Sequence, residues 1–301
     1  MEGDHEEGRK LLLRKKEKVA SFVLFLVALS SVAFVIGIIA VLFVEGLPAL
    51  FQVPLREFFL GKRWYPVSLP PSFGLLPLLL GSLFVTLGGL FFAVPLGFLS
   101  AIFLSEICPR RIRELLKPVV EILAGIPSVV YGFFGVVLLA PSLRKLFELP
   151  TGLTAFTASL LLGIMAVPVV VSVMEDALTA VPRDYREAAL ALGATRWETI
   201  KMVVVPAASS GIGAAVVLGA GRIIGETMTV LMVAGGAAII PRSFFQPVRT
   251  MTATIAAEMA ETSFGSLHYR VLFLVALVLF GITLLLDIAV ATFSRREVLR
   301  R

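Results

Sequence analysis

One cysteine, Cys108, is the whole thiol content of this chain, which excludes an intramolecular disulfide and any metal site built from several thiolates. Histidine is nearly as scarce. His5 and His268 stand far apart and neither sits in a ligand-spaced cluster, so zinc, haem and iron–sulfur chemistry have no donor set. No GxxxxGK[ST] pattern occurs, so the chain carries no phosphate-binding loop for a nucleotide. Charge is the most telling shortage: 16% of the 301 residues are charged, against about 25% in soluble domains.

Apolar residues fill the gap, at 58% of the chain with a mean hydropathy of +0.95. Charge-free runs cover Val19 to Val44, Leu75 to Ser105, Ile122 to Leu143 and Leu149 to Met174, and the 202–241 stretch and Val271 to Ser294 complete six. Each is long enough to cross a hydrocarbon core of about 30 Å at about 1.5 Å per residue. The chain reads as an all-α integral membrane protein. A basic stretch (Arg9, Lys10, Arg14, Lys15, Lys16, Lys18) precedes the first run, but that run is about twice the ~7–15 residues of a secretory signal core and lacks a small-residue exit. It is expected to remain as a span.

Six spans place both ends on one side. Eighteen of the 27 lysines and arginines fall on that side, eight on the other, and Arg222 lies within a span. The excess of basic residues in cytoplasmic loops puts both termini in the cytoplasm. The net charge of +6 thus accompanies membrane orientation and calls for no nucleic acid.

The 181–206 loop reads VPRDYREAALALGATRWETIKMVVVP. Asp184 with Glu187, and Thr195 with Glu198, have capping-box spacing, and Gly193 suits a helix C-terminus. A short cytoplasmic helix, a sharp turn and the fifth span are expected. Tyr185, Leu190 and Trp197 are the candidate anchors of this loop for a partner protein, since aromatic and large apolar groups dominate such contacts.

Glu187-Ala188-Ala189, Gly193 three residues on, and Val203-x-Val205-Pro206 after nine more resemble the EAA loop of ABC-importer permeases, with Val replacing Ile and Leu of the family pattern. WYP at 64–66, FG at 73–74, GSLFVT at 81–86, LAGIPSVVYGFFG at 123–135, LGATRWETI at 192–200 and GRIIGETM at 221–228 resemble the phosphate-specific permease subunit of the PstC type. That resemblance runs from about Trp64 to about Phe280 and implies one peripheral helix plus a five-helix core of the MetI-like, type I importer fold. It also implies the partners: a homologous permease of the PstA type, an ATPase dimer of the PstB type and a phosphate-binding protein of the PstS type. The chain itself would bind no cofactor, ATP and magnesium being used by the ATPase, and would be no enzyme. The expected plan is a basic tail (1–18), a first helix (19–44), an external loop (45–74), a permease core (75–294) containing the coupling loop (181–206), and a second tail (295–301).

Between Met202 and Pro241 the only charged residues are Arg222 and Glu226. An arginine at the centre of a membrane helix costs at least about 2.5–3.5 kcal/mol, so such residues face a cavity or a partner. At i and i+4 the two can pair, with Thr229 on the same stripe. Beside them Gly221 and Gly225 form GxxxG, and Gly211, Ala215 and Gly219 extend a row of small residues suited to close helix packing. Two readings are open. The pair is an internal salt bridge that fixes packing, or it lines the path of an anion, whose oxygens a guanidinium matches bidentately. Ser128, after Pro127 in the third span, is a further candidate on that path. A 40-residue segment exceeds one bilayer, so a break is expected near Gly235-Gly236, and 250–261 should form an external helix. Asp287 is expected near water and structural.

A sulfate or molybdate permease is the alternative within this class. A membrane enzyme acting on lipid phosphates would need paired acids, a nucleophile with its base, or a metal cluster, and the sequence displays none of these. A self-contained secondary transporter would carry inverted repeats, which six spans with a docking loop do not suggest.

Overall fold

The computed structural model describes the backbone of residues 2–298 and the side chains of 17–18, 20–289 and 291. Helix α1 runs unbroken from Glu2 to Gly46. Residues 2–18 therefore form the first turns of the spanning helix, where a separate tail was expected; most of their side chains, with the basic cluster at 9–16, lie outside the described residues. The apolar stretch of α1 buries nothing, as a lipid-facing peripheral helix should. It leans on the rest near Gly46, where an added Cβ would come within 3.1–3.2 Å of the Phe273–Leu274 backbone.

Beyond α1 the chain builds a small cap. A 3₁₀ turn at Leu47–Phe51, helix α2 (Leu55–Leu60), and strands β1 (Trp64–Tyr65) and β2 (Ser72–Phe73) precede the core, with Trp64 paired to Phe73 in antiparallel register. Phe58, Trp64 and Phe73 bury against Leu75, Leu78, Met251 and Leu272. This end of the molecule is called the Trp64 end below, and the other the loop end.

Helix α3 (Leu76–Ile102) continues through a π turn at Phe103–Ile107. Helix α7 (Ala155–Thr179) runs beside it in the same direction. Their close approach depends on glycine: a Cβ on Gly88 would sit 2.3 Å from Ser159 Oγ. Between them in sequence lie α4 (Arg110–Ala124), α5 (Ser128–Phe134), a π turn at Gly135–Leu139 and α6 (Ala140–Leu146). The third span is Ser128–Leu146, so Ile122–Ala124, expected inside it, instead finish α4. Pro127 explains the shift, because it lacks an N–H and disfavours helix in the residue before it.

After α8 (Arg183–Ala191) the fifth span is broken. Helix α9 (Arg196–Thr199), a π turn and α10 (Val205–Ala207) meet α11 (Ser209–Ile224) at a bend of 70°. Helix α11 then stops at Gly225, α12 (Met228–Val233) follows, and the chain turns through Gly235 and Gly236 at φ +83° and +68°. The expected break near Gly235-Gly236 is present, but two earlier ones divide the segment, so no single helix covers 202–233. Helix α13 (Met251–Glu258) and a 3₁₀ turn at Met259–Glu261 cap the Trp64 end, and α14 (Leu267–Val298) crosses back. Residues 295–298 belong to α14, and 299–301 of the expected second tail lie outside the described residues. Among the described residues five helices are long and apolar enough to cross a membrane, and the bent pair, taken as one span, makes a sixth.

Candidate functional site

Arg222 sits in the last turn of α11 and is part-buried. Its Nη2 donates a long hydrogen bond, 3.4 Å, to the carbonyl of Ala124, while its buried Nε has no partner among the described residues. Ala124 closes α4, where the last carbonyls have no intrahelical donor and carry the negative end of the helix dipole. The neighbouring Leu123 carbonyl is met by the Tyr131 hydroxyl at 3.2 Å. A cation thus finishes one helix end.

Glu226 finishes another. It lies past the end of α11, and its Oε1 accepts from the backbone amide of Thr229 at 3.2 Å, in the first turn of α12. Its own carbonyl accepts from the Thr252 hydroxyl at 2.8 Å. The expected Arg222–Glu226 ion pair is not formed among the described residues: Gly225 ends the helix between them, so the i, i+4 geometry never arises. Thr229, expected on the path, is fully buried and donates to the Ser128 carbonyl at 2.9 Å. Ser128 itself is half-buried at the start of α5. The starts of α5 and α12 are thereby tied together beside Arg222.

The row Gly211, Ala215 and Gly219 lies against α7. A Cβ on Gly211 would meet Ala177 Cβ at 2.3 Å, one on Gly219 would meet Val170 at 2.8 Å, and Ala215 is fully buried. Gly221 and Gly225 do not continue that row: a Cβ on Gly221 meets nothing within 4 Å, and Gly225 serves as a helix C-cap.

At the loop end the Thr195–Glu198 capping box is formed in full, and Gly193 takes φ +88°. The Asp184–Glu187 box is not formed, because Pro182 occupies the N-cap position of α8 and has no side-chain acceptor. Glu187 and Ala188 are exposed, Ala189 is buried at 9% exposure, and Tyr185, Leu190 and Trp197 are exposed at 48%, 46% and 59%. Leu192, which sequence reasoning passed over, is 90% exposed on the same loop. Arg186 anchors the loop from beneath, donating to Glu106 at 2.6 Å and to the carbonyls of Val181 and Leu178 at 2.6 and 2.9 Å.

Two charge clusters were missed. Glu175, 1% exposed in the last turns of α7, accepts from Arg113 and, at 2.9 Å, from Lys117; Lys117 also reaches Asp176 at 2.7 Å. The hydrogen bonds to Asp176 and Glu175 hold the Lys117 ammonium above its usual pKa. The signal was available: Arg113 and Lys117 are i and i+4 on one helix, and Glu175-Asp176 interrupts the apolar run at Met174. At the Trp64 end Glu258 accepts from Trp64 Nε1 at 3.1 Å and Arg249 at 2.6 Å, and His268 Nε2 lies 2.8 Å away. These residues flank a cleft of about 650 Å³, and no sequence spacing links them. Asp287 is exposed.

A bundle with one lipid-facing helix, a broken fifth span and an exposed helical loop before it is a multi-pass inner-membrane permease of the type I ABC-importer fold. The chain belongs to the family described as the binding-protein-dependent transport system inner membrane component, matched over residues 93–298. Among curated relatives, the probable ABC transporter permease protein YqgH of Bacillus subtilis is 39% identical over 241 residues, covering 80% of this chain and 78% of that protein. The phosphate transport system permease protein PstC of Mesorhizobium japonicum is 36% identical, covering 79% and 77%. PstC of Haemophilus influenzae is 35% identical, covering 75% and 77%. The resemblance drawn from the motifs is thus found along most of the chain. In fold, the permease of the MetNI methionine transporter matches 72% of this chain and 92% of its own at TM-score 0.56 and 20% identity. A bacterial alginate transporter matches 94% and 97% at TM-score 0.63 and 15% identity. The relatives are permease subunits, not enzymes.

Proposed function

We propose that this chain is the permease subunit of an ATP-driven importer for inorganic phosphate, forming half of the path and standing with both termini in the cytoplasm. The observation that carries the proposal is Arg222: a part-buried guanidinium with one weak bond to a helix-end carbonyl and an unpartnered Nε. Such a cation is held in place yet remains available to a better acceptor. Phosphate supplies one, since its charged oxygens accept two parallel bonds from a guanidinium where the neutral carbonyl accepts one. The carbonyl of Ala124, rather than the carboxylate of Glu226, then competes with phosphate and limits how tightly the ion is held. The PstC relatives support the choice of phosphate.

The 181–206 loop is the docking element for the ATPase, with Tyr185, Leu190, Leu192 and Trp197 as its apolar contacts. Partners of the PstA, PstB and PstS types complete the importer, and ATP with magnesium is used in the ATPase subunits. Labelled phosphate uptake by the reconstituted importer tests the reading. Arg222→Gln should abolish uptake while the complex still co-purifies, and excess sulfate or molybdate should not compete. Uptake near the parent rate would remove Arg222 from the path, and full competition by sulfate or molybdate would reassign the substrate.

A further inference from the structure

We infer that α4 is a strut linking the docking loop to Arg222, and that Glu175 is the positioning residue that fixes its lower half. The inference rests on the proposed transport role of Arg222. Helix α4 is 15 residues long, about 22 Å at 1.5 Å per residue, and buries none of its side chains fully. It is held at identifiable points. Arg113 and Lys117 grip Glu175, and Arg113 also donates to Thr179 Oγ1 at 2.6 Å. The Thr179 hydroxyl in turn donates to Glu175 at 3.0 Å. At the far end the carbonyls of Leu123 and Ala124 accept from Tyr131 and Arg222.

Thr179 is the last residue of α7, and α8 starts four residues later at Arg183. Arg186 ties α8 back to the Leu178 and Val181 carbonyls. A displacement of α8 therefore reaches Glu175 through a few directly bonded residues. Glu175 passes it to α4 through two cations, and α4, which stays one helix across Pro118 and packs along α7, carries it to Ala124. Its end carbonyl is the group that Arg222 releases when an anion takes it. Glu175 touches no substrate; it acts by setting where Ala124 stands.

The assembled importer, with its ATPase, sister permease and phosphate-binding protein in proteoliposomes, provides the test. Glu175→Gln removes the charge the two cations grip. The phosphate imported per ATP hydrolysed, and the stimulation of hydrolysis by loaded binding protein, should each fall by about 2- to 30-fold, the span measured for coupling residues remote from a ligand. Hydrolysis without binding protein should stay at the parent rate, and Glu175→Asp should recover part of the coupling. A purely structural ion pair would lower thermal stability and leave the coupling ratio unchanged; that result overturns the inference. Should Glu175→Gln not assemble, Lys117→Met carries the same expectations, since that side chain is 37% exposed and its loss is easier to accommodate. An unchanged ratio in Glu175→Gln beside an inactive Arg222→Gln removes the strut and keeps the phosphate path. Near-normal uptake by Arg222→Gln removes the path itself.

Discussion

The hydroxyl of Thr229 donates to the backbone carbonyl of Ser128 at 2.9 Å, joining the first turn of α12 to the first turn of α5 across 101 residues of sequence. Both helices begin at a break that carries a site residue: Gly125–Pro127 lies beside the carbonyl Arg222 reaches, and Gly225–Thr227 holds Glu226. The bond keeps the two breaks in register. Thr229→Val preserves shape but removes the donor, a net loss of about 0.5–1.5 kcal/mol for one hydrogen bond. Thermal unfolding of the detergent-solubilised chain should show a lower midpoint. An unchanged midpoint would mean that the bond contributes nothing to holding the breaks together.

The small residues of α11 divide into two groups with opposite expectations. Gly211 lies where any Cβ would strike Ala177 at 2.3 Å, so Gly211→Leu should push α11 off α7, with overpacking costs of about 1–3 kcal/mol. Gly221→Ala meets nothing, and in a helix interior the exchange is worth up to about 1 kcal/mol in favour of alanine. Unfolding midpoints of the two variants should therefore move in opposite directions, a contrast that a continuous GxxxG seam through 225 would not produce.

Much of this architecture was legible because lipid simplifies the code. Charge-free runs locate spans. The Thr195–Glu198 box and Gly193 specify local backbone, and the structure forms both. What remained hidden depends on where helices stop. Arg222 and Glu226 look like a pair only if a helix continues through Gly225, and composition in an apolar segment does not reveal that it ends there. The Asp184–Glu187 box failed for a comparable reason: Pro182 already sets the helix start. Glu175 escaped because its partners sit 58 and 62 residues away, and periodicity reports a face of one helix, not which helix will meet it.

Arg186 shows how the 181–206 loop is held to the bundle. Its guanidinium is shared between Glu106 and the carbonyls that end α7, with the two side chains 20% and 10% exposed. Glu106→Gln leaves the guanidinium with carbonyls only and removes a charged hydrogen-bond pair worth about 1.5–3 kcal/mol. Amide hydrogen exchange across 181–195 should accelerate in that variant while α3 and the first half of α7 keep their protection. Equal exchange in variant and parent would show that packing alone seats the loop.

Trp197 and Leu192 bear on the partner most directly. They are 59% and 90% exposed on a segment whose backbone is fixed by a complete capping box, so an ordered surface presents them to the surroundings. Because neither is buried, replacing both with alanine should leave the unfolding free energy of the isolated chain within about 0.5 kcal/mol of the parent, as for surface positions generally. Binding is different. If the loop enters a cleft of the ATPase, a tryptophan at the centre of that contact is worth about 2 kcal/mol or more, about 30-fold in affinity. Titration of the ATPase against the permease complex should show that loss, and phosphate uptake should fall with it. Phe264, 83% exposed near the Trp64 end, is the control. Phe264→Ala should leave ATPase affinity unchanged, and an equal loss there would mean that general surface apolarity, not this loop, drives the association.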